Sequence, residues 1–148
     1  MKVAAADPRE GDPPEDVLRK IRIPFVQRAT LTHRGASEEV FIIDVGLAGV
    51  FVEHREPLAA GEGAVVQFPL PGNEIPITAR CRVAWSHVPA QRLVSKHLPP
   101  GMGLEFVELD ERGRERIREH VLDHCRQNPR VRRFLRHWPD GQRTGDDP

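Results

Sequence analysis

A chain of 148 residues suits one domain with a real core, and its 22 basic and 22 acidic side chains leave no net field demanding nucleic acid or an anionic membrane. Two cysteines, Cys81 and Cys125, are too few for a disulfide framework and suit a reducing compartment. No apolar signal core opens the chain and no run is long enough to cross a bilayer, so a cytoplasmic protein without membrane insertion is expected.

Residues 1–16 carry Pro8, Pro13, Pro14 and five acids with almost nothing to bury, and read as a disordered acidic leader. A domain is expected over 17–126. Its first strand starts near Val26, where Ala29, Leu31 and His33 alternate with Arg28, Thr30 and Thr32. Arg34-Gly35-Ala36 turns it into Glu38–Asp44, and Gly49–His54 and Ala64–Leu70 follow. The clearest period-two segment sets Ile75, Ile77, Ala79, Cys81, Val83 and Trp85 on one apolar face, with Thr78, Arg80 and Arg82 opposite. Such alternation marks a half-buried antiparallel strand. Gly103–Val107 is the last strand. Six short strands with no helix between them predict a mainly β, closed or nearly closed antiparallel barrel, which also removes exposed edges.

After Leu109 the period changes. Asp110 is the expected N-cap of a helix whose apolar stripe is Ile117, Val121, Leu122 and Cys125, and Asn128-Pro129 stops it. Glu111 with Arg114, and Glu115 with Arg118, are spaced to pair on its exposed side. Residues 127–148 form a basic extension: a short helix with Val131, Phe134, Leu135 and Trp138 among arginines, then a disordered end. Helical spacing of Val131, Leu135 and Trp138 favours packing over nucleic-acid binding for this patch.

The most informative stretch is Asp44-Val45-Gly46-Leu47-Ala48-Gly49-Val50-Phe51-Val52. β-branched and aromatic residues flank an acid and two glycines. Asp44 can accept hydrogen bonds from the turn's amides, while Gly46 and Gly49 permit positive φ or an approach too close for a Cβ. That makes a shaped concavity where a ligand is expected. The turn resembles a signature of the PilZ family, which reads Asp or Asn, any residue, Ser, two residues, Gly. Leu58-Ala59-Ala60-Gly61 and Pro100-Gly101-Met102-Gly103-Leu104-Glu105-Phe106 also resemble the family pattern, and in register the likeness runs from about Arg22 to Cys125. The resemblance implies a six-stranded antiparallel barrel with a C-terminal helix, in a bacterial protein. Many PilZ domains bind the second messenger cyclic di-GMP.

Family members that bind it carry a second signature, Arg-x-x-x-Arg, just before the first strand. Each guanidinium can grip a phosphate bidentately, stack on a purine or donate to guanine O6 and N7. Here Arg28 has Pro24 four residues before it, and Arg22 has Leu18 before and Val26 after, so no intact pair exists. Gly46 stands where the family has serine, removing a hydroxyl donor. The candidate ligand residues are Arg22, Arg28, Asp44, Gly46 and Gly49. In the expected mechanism cyclic di-GMP draws the arginine-bearing N-terminal segment onto the Asp44–Gly49 turn, a disorder-to-order step read by an unidentified protein partner. On this reading Arg28→Ala abolishes binding. The alternative is a degenerate PilZ domain that binds no nucleotide and serves as a protein-interaction subunit.

Other chemistry is weaker. His120 and His124 share a helical face beside Cys125, but the spacing lacks a zincin glutamate and a third ligand, so a helix surface is expected and no metal. There is no Gly-x-Ser-x-Gly, no phosphate-binding loop, and no dinucleotide fingerprint around Gly101-Met102-Gly103. A non-enzymatic module without a cofactor is expected.

Overall fold

The computed structural model describes residues 12–72, 75–88, 99–128 and 130. A short helix α1 (Glu15–Leu18) precedes six strands: β1 (Ile23–His33), β2 (Ala36–Val45), β3 (Gly49–Glu53), β4 (Gly63–Phe68), β5 (Ile77–His87) and β6 (Gly101–Glu108). Helix α2 (Glu111–Gln127) is the last described element. The strands close into an antiparallel barrel in the order β1-β2-β3-β6-β5-β4, as the period-two patterns predict.

Inward residues of every strand fill the core: Leu31, Ile42, Val50, Val52, Val66, Phe68, Ala79, Val83, Met102 and Leu104 are all buried. Helix α2 lays Ile117, Val121, Leu122 and Cys125 on this core, the stripe its spacing predicts. Asp110 caps it, accepting from the Gly113 amide at 2.6 Å, and Asn128 leaves the helix while its Nδ2 donates to the His124 carbonyl at 2.7 Å. Cys81 and Cys125 are both buried and free. Burial pushes the Cys81 thiol up to about 12, so it packs as a small apolar group rather than reacting.

Several expectations need correction. β1 begins at Ile23, three residues before Val26, because Ile23 and Phe25 already alternate into the core. β1 pairs β4 only through Thr30–Thr32, so its first half has a free side, where Pro24 is tolerated without an N–H. Trp85 is not inward. The register slips between Val83 and Trp85, and a one-residue slip flips the face, leaving Trp85 42 % exposed. Ile75 lies before β5 and is exposed.

The acidic leader also ends earlier than residue 16. Asp12 holds Arg126 bidentately, at 3.2 and 2.8 Å, and Glu15 holds Arg118, at 2.9 and 2.5 Å. With Val17 and Leu18 buried, α1 is clasped to α2, and Arg118 is given to Glu15 instead of Glu115. Residues 1–11 and, beyond Asn128 and Arg130, the C-terminal extension with Phe134 and Trp138 lie outside the described residues.

His120 packs its ring edge-on to Phe25 with centroids 5.1 Å apart. Burial and then the neighbouring His124 hold it below its ordinary 6.5, with Asp123 opposing. A depressed histidine favours folding when neutral, so the stability it contributes is present above pH 6.5 and lost as pH falls through its folded value. Thermal unfolding at pH 7.5 and 5.5 checks this: the wild type is expected to lose more Tm on acidification than His120→Phe. Equal losses place the titrating group elsewhere.

Candidate functional site

The β2–β3 turn is held by a Gly46 amide donating to the Gly49 carbonyl at 2.9 Å, and is tied to β6 by the Phe106 amide on the Ala48 carbonyl at 2.8 Å. Neither glycine has positive φ. Both are there for close approach. A Cβ on Gly49 would lie 1.9 Å from the Leu104 carbonyl oxygen, and one on Gly46 would lie 2.5 Å from that of Ile21. The linker between α1 and β1 therefore lies directly on the turn.

That linker delivers Arg22. Its Nε sits 3.0 Å from Oδ1 of Asp44, close enough for an ion pair. Yet this buried oxygen accepts no aligned hydrogen bond, from Arg22 or from the turn. An acceptor without an aligned donor is costly to bury, so the pair has hydrogen-bonding capacity to spare. Arg22, Asp44, Gly46 and Gly49 are thus brought together. Arg28 is not. It pairs across with Phe41, three residues before Asp44, or about 10 Å along the strand at 3.3 Å per residue. There it lies over the Phe41 ring at 5.7 Å, with Glu39 at 3.7 Å.

One feature sequence reasoning missed is aromatic. Asp44 pairs with Phe51, Phe51 with Gly103 and Gly103 with Trp85, so all four lie in one row across the outer face of the barrel. Phe51 and Trp85 stack at 5.3 Å and 24°. Gly103 makes room, since a Cβ there would lie 2.2 Å from Trp85 Nε1. The row sets a part-exposed Trp85 over a buried Phe51, three strands from the Asp44 carboxylate. A groove of about 410 Å³ beside the turn is lined by Leu47, Ala48 and Phe106, with Glu15 and Arg19 of the N-terminal segment and Arg114 and Arg118 of α2. Among the described residues no group of histidine, cysteine and carboxylate could hold a metal, and no helix is long and apolar enough to cross a membrane.

A closed six-stranded barrel with a helix packed on its core and an arginine–aspartate pair at its β2–β3 turn defines a small β-barrel domain with an outward-facing site. The PilZ domain family model matches residues 18–123, and the chain belongs to that family. No curated protein matches the sequence. Similar solved structures include the Bacillus subtilis inhibitor of motility MotI/DgrA, 14 % identical with a TM-score of 0.58 over 70 % of this chain and 48 % of that one. Another is the Borreliella burgdorferi PlzA protein in complex with c-di-GMP, 16 % identical with a TM-score of 0.48 over 74 % and 37 %. A third is the PilZ domain of CeSA from a cellulose-synthesising bacterium, 13 % identical, with a TM-score of 0.46 over 72 % and 98 %. The chain thus spans about half of the first relative and just over a third of the second.

Proposed function

We propose that this domain is a non-enzymatic regulatory module that binds cyclic di-GMP at the β2–β3 turn and passes the signal to a protein partner. The observation that carries the reading is the Arg22–Asp44 ion pair at the turn, 3.0 Å apart with no aligned hydrogen bond on its buried carboxylate oxygen. Membership of the PilZ family and the PlzA complex with c-di-GMP support the choice of ligand. Arg22 supplies a guanidinium for phosphate or for guanine O6 and N7, and Asp44 accepts from a base edge or orients Arg22. Trp85, stacked on Phe51, offers a π-face to a purine.

The disorder-to-order mechanism takes a different form in this geometry. The segment from Asp12 to Arg22 already lies on α2 and on the turn, so ligand entry has to rearrange an ordered segment. Gly46 favours the second reading, a PilZ domain that binds no nucleotide, because the Ile21 carbonyl fills the space a serine side chain would take. Calorimetric titration with cyclic di-GMP at moderate salt separates the two. Micromolar or tighter binding is the expected result; no heat and no thermal shift at high ligand establishes the interaction-only domain.

A further inference from the structure

We propose that the groove beside the β2–β3 turn is a guanine-nucleotide subsite, gripped by Arg118 and Arg114 of α2 with Arg19, and that the chain's own Glu15 occupies it as an internal competitor. The inference rests on the cyclic di-GMP reading and names the groups that bind its second half.

The geometry around Glu15 is that of an occupied anion site. Its carboxylate takes two contacts from the Arg118 fork, Nη1 at 2.9 Å and Nη2 at 2.5 Å, and lies 3.6 Å from Arg19 Nε. Arg118 lowers the Glu15 pKa, chiefly through this hydrogen bond. A planar fork that fits a carboxylate bidentately fits a phosphate the same way. Arg114, one turn earlier on α2 and lining the same groove, forms no ion pair among the described residues, so its donors are free for a ligand. The helix thus adds guanidiniums to Arg19 and Arg22 of an N-terminal segment that lacks Arg-x-x-x-Arg.

A plain anion is the wrong class, because carboxylates also line the groove. Glu105 is committed to Arg82 at 2.5 Å, but Glu111 and Glu115 are in no ion pair among the described residues. Ionised carboxylates are acceptors only. Guanine presents an N1–H and an N2–H₂ on one edge for such an acceptor and O6 and N7 on another for arginine; adenine has no such donor edge. A lining that mixes guanidiniums and carboxylates with apolar Leu47, Ala48 and Phe106 therefore matches a guanine nucleotide better than adenine or phosphate alone. At about 410 Å³ the groove lies low in the range of small-molecule sites, about 300–1,000 Å³, which suits one nucleotide half. Leu47 and Ala48 tie it to the turn that Asp44 begins, and Arg19 lies three residues before Arg22.

Removing the competitor tests this. Glu15→Gln is expected to tighten cyclic di-GMP binding about tenfold in calorimetry, and Arg118→Gln to weaken it at least tenfold. The mononucleotide 5′-GMP is expected to bind Glu15→Gln more tightly than wild type. It should do so with Arg22→Ala added, but not with Arg118→Gln added, and 5′-AMP should not bind. Circular dichroism and Tm confirm that each variant is folded. If cyclic di-GMP binds and depends on Arg22 while Glu15→Gln and Arg118→Gln leave its affinity unchanged, the subsite is wrong and the functional reading stands. Equal binding of 5′-AMP and 5′-GMP also overturns the guanine assignment. Silence of both guanine ligands in every variant overturns the two together.

Discussion

Gly49→Ala is expected to cost the barrel about 3 kcal/mol or more, the upper end of what overpacking a tight interior does. The added methyl would sit 1.9 Å from the Leu104 carbonyl oxygen and 3.0 Å from its carbon. Both are backbone atoms of β6, which cannot rotate away as a side chain does. Gly49 pairs with Glu105 at the start of a five-pair ladder between β3 and β6, so relief requires opening that ladder from its end. The damage would reach the site, because the Phe106 amide that holds Ala48 belongs to the same ladder end. Gly63→Ala is the matched control, a strand glycine whose Cβ would meet nothing closer than the Cys81 carbonyl at 3.8 Å. Urea denaturation checks both. With m of about 1–3 kcal/mol/M, Gly49→Ala should lower the midpoint by roughly 1–3 M, while Gly63→Ala should leave it nearly unchanged. Equal midpoints would show that β3 and β6 have slack that the 1.9 Å contact denies.

The glycines show why the fold was legible in the sequence and the site only in part. Alternation along 77–83 fixes which residues face inward whatever lies beside them, so the strands and the barrel follow from the period. The helix stripe and its Asp110 cap are equally local. A register slip has no such local mark, and Trp85, placed in the core by strict alternation, moves to the outer face beside Phe51. The sequence shows that Gly46 allows close approach, but not that the approaching atom is the Ile21 carbonyl. Ion pairs are the least legible. Arg118 has an acid three residues before it, and local spacing assigns it there, yet its partner is Glu15, 103 residues away. Asp12 and Arg126 are 114 residues apart. Hence an acidic segment that composition marks as leader becomes the strap that fixes α1 to α2. Arg28 illustrates the converse: near Arg22 in sequence, it is carried off along the extended strand.

The second large effect falls on that distinction between arginines. Arg22→Ala is expected to weaken cyclic di-GMP binding roughly tenfold to a hundredfold, the worth of one charge-assisted hydrogen bond at about 1.5–3 kcal/mol. Asp44→Asn should weaken it too, because the amide keeps the shape but loses the charge that faces Arg22 at 3.0 Å. Since the two residues touch, their losses should not add, and the double variant is expected to bind little worse than Arg22→Ala alone. Arg28→Ala is expected to change affinity by less than about threefold. Its strand position lies about 10 Å along from Asp44, and its guanidinium sits over Phe41 and beside Glu39. Little stability is lost in either arginine variant, because Arg22 and Arg28 are partly exposed and solvent-screened pairs contribute at most about 1 kcal/mol. Calorimetry on the four variants, with Tm as the folding check, decides it. Losses from Arg28→Ala matching those from Arg22→Ala would move the ligand onto the β1–β2 face above Phe41. The Gly46–Gly49 turn would then be only a structural link between β2 and β3.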